Sequence, residues 1–114
     1  MAMRRPLPLL KGTLDLLILK ALTGGPAHGY GLSVWLSLRS GGELEVEDSA
    51  LYQALHRMEE RGWIDAEWGT TENNRRARYY ELTARGRRHL ADEADTWRRY
   101  ARSVETVLAA EGGE

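Results

Sequence analysis

The sequence predicts a mainly α chain interrupted by one small β-hairpin, and three observations predict it. Apolar segments of helical length, each closed by glycine, fill residues 10 to 62. The hydrophobic period then changes from 3.6 to 2 between residues 63 and 82. Beyond residue 83 a helical period returns and continues to about residue 110.

The first helix is read over residues 10–23. Leu14, Leu17, Ile18, Ala21 and Leu22 sit at helical spacing, Leu16 and Leu19 make the other side apolar too, and Gly24-Gly25-Pro26 is a strong stop. The second helix is read over residues 28–40. Leu32, Trp35 and Leu36 share one face, while Tyr30, Val34 and Leu38 lie toward the opposite side. A helix apolar nearly all round must be covered on two sides, and Tyr30 is expected in the core. Gly41-Gly42 ends it, and the alternation in Glu43-Leu44-Glu45-Val46 predicts a short edge strand. The third helix is read over residues 48–61, with Leu51, Leu55 and Met58 as the buried stripe. Glu47 or Asp48 supplies negative charge at its N-terminus, and Gly62 fits the left-handed residue that closes it.

Trp63 to Trp68 alternate, Gly69 to Arg75 are polar turn material, and Arg76 to Leu82 alternate again, which predicts a β-hairpin. Thr83 suits the N-cap of the last helix. Leu90, Ala94, Trp97, Ala101, Val104 and Leu108 are spaced 4-3-4-3-4, an a/d seam. At ~1.5 Å per residue the helix is a rod of roughly 42 Å, longer than so small a domain buries alone. The seam therefore predicts a partner surface that covers it.

At 114 residues the chain is expected to form one folding unit with a small core. Residues 1–82 would make the helix–hairpin part and residues 83–114 a dimerisation helix. There are no cysteines, which excludes disulfides, thiolate metal sites and thiol nucleophiles. The basic start, Met1 to Pro6, precedes an apolar run broken by Lys11, Asp15 and Lys20 and followed by no small-residue cleavage site. It does not read as a secretory signal, and no apolar segment is long enough to span a bilayer. A soluble, cytoplasmic protein with no membrane partner is expected. The three histidines, 28, 56 and 89, share no metal-ligand spacing and complete no nucleophile–base set, and no glycine loop suits a phosphate cofactor. Neither an enzyme nor a cofactor is expected.

The charge distribution carries more information than its sum. Residues 73 to 88 contain six arginines and one glutamate, a local +5 in a chain of formal charge −1. Glu43, Glu45, Glu47 and Asp48 form an acidic run, and the tail after Arg102 forms another. A basic island on a nearly neutral protein is what a local phosphate contact requires.

Three helices followed by a ribbon is the order of a winged helix-turn-helix, whose third helix enters the major groove and whose hairpin lies along the backbone. Opposite its buried stripe the third helix carries Ser49, Gln53 and His56, flanked by Tyr52 and Arg57. These side chains can pair with base edges and phosphates. The hairpin places Asn74, Arg75, Arg76 and Arg78 for the backbone. Arginines also protect strand edges, but edge protection mixes signs and this tip does not. Double-stranded DNA is the partner these residues imply. A winged helix that binds only proteins is the alternative, since fold does not dictate function.

The segments KGTLDLLILKAL (11–22), HGYGL (28–32), ALYQALHRMEERGWIDAEW (50–68) and RRARYYELTARGRRHL (75–90) together resemble PadR-type transcriptional regulators of the subgroup with a short C-terminal region. The resemblance covers roughly residues 10 to 100. It implies a homodimer that binds an inverted repeat in a promoter, commonly as a repressor released by a small molecule. It also suggests that the region around His28 approaches the DNA backbone. Two departures bear on sequence preference: Ser49-Ala50 stand where the family usually has Gly-Thr, and Gln53 where it usually has Pro. In some relatives, paired aromatics on the last helix take flat hydrophobic ligands. Trp97 is the residue expected to meet any such effector, although filling the dimer core is its first role.

Overall fold

A computed structural model describes residues 5–7, 9, 10 and 12–112. Lys11 of the predicted first helix, most of the basic N-terminal stretch and the last two residues lie outside the described residues.

Helix α1 runs Thr13–Ala21 and tightens into a 3-10 turn, Leu22–Gly24, before the glycines and proline that stop it. A two-residue strand β1, Ala27–His28, leads into α2, Gly29–Arg39. Helix α3, Asp48–Glu60, is followed by the antiparallel strands β2, Ile64–Thr70, and β3, Arg76–Leu82. Helix α4, Ala84–Ala109, closes the chain. The sheet order is β1-β3-β2.

The core joins α1, α2, α3 and the base of the sheet. Ile18, Leu19, Leu22, Leu32, Leu51, Ala54, Leu55, Met58, Ile64, Tyr80 and Leu82 are buried together. Each large aliphatic side chain there contributes about 1.5–3 kcal/mol of burial free energy. The predicted stripe of α3 is the one observed, with Ala54 added on the same side. Gly62 takes φ 76° and donates its N–H to Glu59, which turns the chain sharply from α3 into β2.

Two expectations need correction. Residues 43–46 form no strand; Leu44 makes only an isolated parallel bridge to Leu7. The free edge of β3 is instead occupied by β1, whose Ala27 and His28 lie opposite Tyr80 and Tyr79. Two residues after a Gly-Pro stop carry no detectable alternation, so this strand is invisible in the sequence. The second correction is Tyr30, which is 73% exposed rather than in the core. Its ring stacks beside His28 at 6.5 Å, because the buried side of α2 is filled by Leu32 and Leu36. Leu38 on the same outer side is 74% exposed, so in the single chain α2 is covered on one side only.

The junction between hairpin and α4 is made by Leu82-Thr83-x-x-Gly86. Leu82 is buried. The Thr83 hydroxyl donates to the Gly62 carbonyl at 2.7 Å and accepts from the Gly86 N–H at 3.0 Å, capping α4 as expected. A Cβ at Gly86 would lie 2.0 Å from the Trp63 carbonyl oxygen, so only glycine lets the helix approach this closely. One turn on, the His89 ring stacks on Trp63 with centroids 3.7 Å apart.

Candidate nucleic-acid interface

Burial of Leu51, Ala54, Leu55 and Met58 turns the other side of α3 outward. Ser49, Gln53 and His56 are exposed there at spacings of four and three, one continuous face. His56 Nε2 lies 3.4 Å from Glu60, both well solvated. The remaining two expected readers are drawn off this face. Tyr52 leans over the start of α2, where a Cβ at Gly29 would meet its hydroxyl at 2.5 Å, and it keeps half its surface exposed. Arg57 is paired through its terminal nitrogen with Asp15 of α1, a contact between helices 42 residues apart in sequence.

Seven cross-strand pairs fix the wing, from Ile64 opposite Leu82 to Thr70 opposite Arg76. Its tip is a loop over residues 71–75. Thr71 donates its N–H to the Arg75 carbonyl at 2.7 Å, and its hydroxyl accepts from the Arg75 N–H at 3.1 Å. Asn74 adopts φ 59°, the left-handed geometry that asparagine tolerates better than most residues. Its place at the tip thus has a backbone reason independent of any ligand.

The three wing arginines differ in setting. Arg75 and Arg76 are exposed, and no carboxylate pairs with either among the described residues. Arg76 lies over the ring of Trp68 at 4.6 Å. Arg78 points beneath the hairpin, with a terminal nitrogen 3.0 Å from Glu59 Oε2. Below it Tyr80 is buried, which raises its phenol above the ordinary range, while the Arg78 charge pulls the other way. The basic island read from residues 73–88 is therefore two separate features. Arg85, Arg87 and Arg88 belong to the first turns of α4, where Arg85 reaches the Arg61 carbonyl at 3.5 Å.

His28 is the N-cap of α2: its Nδ1 accepts from the Gly31 N–H at 3.1 Å. Its ring also meets Tyr79 edge-on at 5.3 Å, so His28, Tyr30 and Tyr79 form an aromatic group beside the α2 N-terminus. Sequence reasoning missed this group and the exposed Trp68. Both depend on strand register, and Trp68 reads as an ordinary inward residue of β2 until the core runs out beneath it.

On α4, Leu90 packs against the core and Ala94 and Ala101 are half-buried. Trp97 is 45% exposed, and Val104 and Leu108 stand out further along the rod. The outer end carries an apolar depression lined by Tyr100, Ser103, Val104, Val107 and Leu108. Among the described residues no cluster of histidines and carboxylates could hold a metal ion, and no helix is long and apolar enough to cross a membrane.

Known proteins share this geometry. A transcriptional regulator from Clostridium thermocellum is 25% identical over 84% of this chain and 90% of its own, with a TM-score of 0.77. A PadR-family transcriptional regulator from Eggerthella lenta is 29% identical over 89% of this chain and 86% of its own, with a TM-score of 0.76. A PadR-like transcriptional regulator from Bacillus cereus is 25% identical over 89% and 96% of the two chains, with a TM-score of 0.75. The match to the transcriptional regulator PadR-like family covers residues 18–92, from the core of α1 through the wing to the third turn of α4. The chain belongs to that family, a family of regulators rather than enzymes, and its winged helix-turn-helix serves DNA-binding control of transcription.

Proposed function

We propose that this regulator binds an inverted-repeat operator as a homodimer and represses by occluding polymerase. The observation that carries the reading is the pairing of two surfaces. α3 exposes Ser49, Gln53 and His56 opposite its buried stripe, and the wing tip exposes Asn74, Arg75 and Arg76 with, among the described residues, no carboxylate on the two arginines. The first set reads base edges, with the Gln53 amide suited to adenine. The second set fixes register on the phosphates without reading sequence. Tyr52 and Arg57 take a lesser part, since Gly29 and Asp15 already occupy them.

Residues 1–82 form the DNA-binding part in this reading and residues 83–114 the dimerisation helix. A second copy covers the a/d seam of α4, hiding Trp97, Val104 and Leu108. Two-fold symmetry then sets the reading helices about 34 Å apart, one turn of DNA. A flat hydrophobic effector meeting Trp97 at the dimer axis alters that spacing and releases the operator. A cytoplasmic setting follows from the partner.

Selection from random duplexes followed by gel shifts at several salt concentrations tests the proposal. With Arg75 and Arg76 of both protomers on phosphates, log affinity against log salt falls with a slope of about −4. Recovery of no symmetric sequence, or binding insensitive to salt, refutes it. Gln53→Ala in the same selection relaxes preference at one position of each half-site.

A further inference from the structure

Arg78 sits in a setting that a phosphate-binding side chain does not need. Its terminal nitrogen holds Glu59 at the C-terminal end of α3, and both side chains are more than half buried. Its guanidinium lies 5.9 Å from the ring of Trp68, its register partner on β2, and 6.0 Å from that of Tyr80. Its Nε is buried and has no acceptor among the described residues. Buried apolar support for the hairpin stops at Tyr80. Beyond that point a two-stranded ribbon is marginal alone and free to twist. Among the described residues, the Arg78–Glu59 pair is the hydrogen bond that ties this outer half of the wing to α3.

From this juxtaposition we infer that Arg78 is a positioning residue: through Glu59 it fixes the angle of the wing against α3, and it does not contact DNA. The inference rests on the proposed use of α3 for bases and the wing tip for phosphates. A half-buried ion pair adds little stability, because desolvation offsets much of the Coulomb gain. It can still select one orientation, and a planar guanidinium suits a slot between two rings better than an ammonium does. Reaching for a phosphate would leave Glu59 half-buried, unpaired and facing the DNA. The two roles therefore predict opposite signs. If Arg78 gripped DNA, Glu59 would compete with the phosphate and its neutralisation would tighten binding. If the pair is a strut, the same change weakens binding.

The experiment uses the full chain, a selected operator duplex and an unrelated duplex, with affinities measured over a range of salt. Glu59→Gln, Arg78→Met and Arg78→Lys are each expected to lose about tenfold on the operator and much less on the unrelated duplex, with the wild-type salt slope. Arg76→Gln, in contrast, makes the slope shallower by about 1 for each phosphate it no longer neutralises. Tighter binding by Glu59→Gln, a shallower slope in Arg78→Met, or wild-type binding by Arg78→Lys overturns the inference. Thermal melts identify any variant that fails to fold, and Glu59→Gln, which keeps shape and volume, carries the test in that case. A DNA-free measurement separates the inference from the functional reading. Amide exchange in free Glu59→Gln should quicken in the outer hairpin, 67–70 and 76–78, and not in α3. Unchanged exchange there rejects the strut even if DNA binding is as proposed. A wild type with no salt-dependent operator binding rejects the functional reading and leaves exchange to decide the strut.

Discussion

The two halves of α4 obey different rules. The first turns are locked into the chain: Thr83 caps them, Gly86 presses on the Trp63 carbonyl, His89 stacks on Trp63 and Leu90 joins the core. The second half leaves the body of the protein. Trp97, Tyr100, Val104, Val107 and Leu108 are all exposed, and the longest dimension of the molecule reaches 59 Å. One continuous helix of 26 residues thus contains a segment packed against its own chain and a segment whose apolar residues are exposed in the single chain. Apolar periodicity, then, states only that a face will be covered. Which molecule covers it depends on reach.

The largest expected effect breaks the inner half. Gly86→Ala places a methyl 2.0 Å from a backbone oxygen, which cannot swing aside as a side chain can. A loss on the order of 3 kcal/mol in chemical denaturation is expected, with the unfolding of the winged domain and of α4 moving together. A loss under ~1 kcal/mol would mean that the junction is looser than the glycine implies.

Breaking the outer half should give the opposite pattern. Val104→Glu with Leu108→Glu is expected to leave the winged domain folded while shifting the sedimentation of the chain to a monomer. Operator affinity then falls about a hundredfold, because a lone reading head loses the linked second half-site. A double variant that stays dimeric at micromolar concentration rules out this seam as the interface.

Trp97→Leu sharpens the contrast at the border between the halves. Dimerisation should weaken by less than about 1.5 kcal/mol, the usual range for one apolar residue replacing another. Binding of a planar dye, followed by quenching of tryptophan emission, should disappear; Trp35, Trp63 and Trp68 remain as internal controls. Persistent quenching would place the dye site away from Trp97.

The smallest effect concerns pH and belongs to the body of the protein. Burial raises the Tyr80 phenol, so above pH ~10 the unfolded chain loses this proton while the folded chain keeps it. The contribution of Tyr80 is therefore intact below that pH and is lost as pH rises through the folded value. Tyr80→Phe should show a shallower loss of stability in strong alkali than wild type.

Legibility follows the range of the interaction. The helices of the body, the hairpin and the Thr83 cap are readable because each rests on a local period or a residue next to a turn. Ser49, Gln53 and His56 are readable as an outward face for the same reason, since the buried stripe of α3 defines its opposite. Tyr52, Arg57 and Arg78 look in sequence like the exposed polar residues around them, because their partners, Gly29, Asp15 and Glu59, lie 19 or more residues away. The edge strand expected at 43–46 and the one found at 27–28 show the same limit. Alternation marks a segment able to pair, while the edge of β3 accepts whichever segment the fold delivers to it.

By itself, then, the sequence determined the order of the four helices and the hairpin, the stripe that α3 buries, the basic tip and an a/d seam on α4 longer than one small domain buries. These follow from local geometry and from apolar surface that must leave water. Only the tertiary structure decided how the basic residues divide. Arg75 and Arg76 stand out at the tip, Arg78 is held beneath it, and Arg85 lies on another element. A charge is assigned its task by what lies within about 4 Å of it, and that distance is set by the packing of the whole chain.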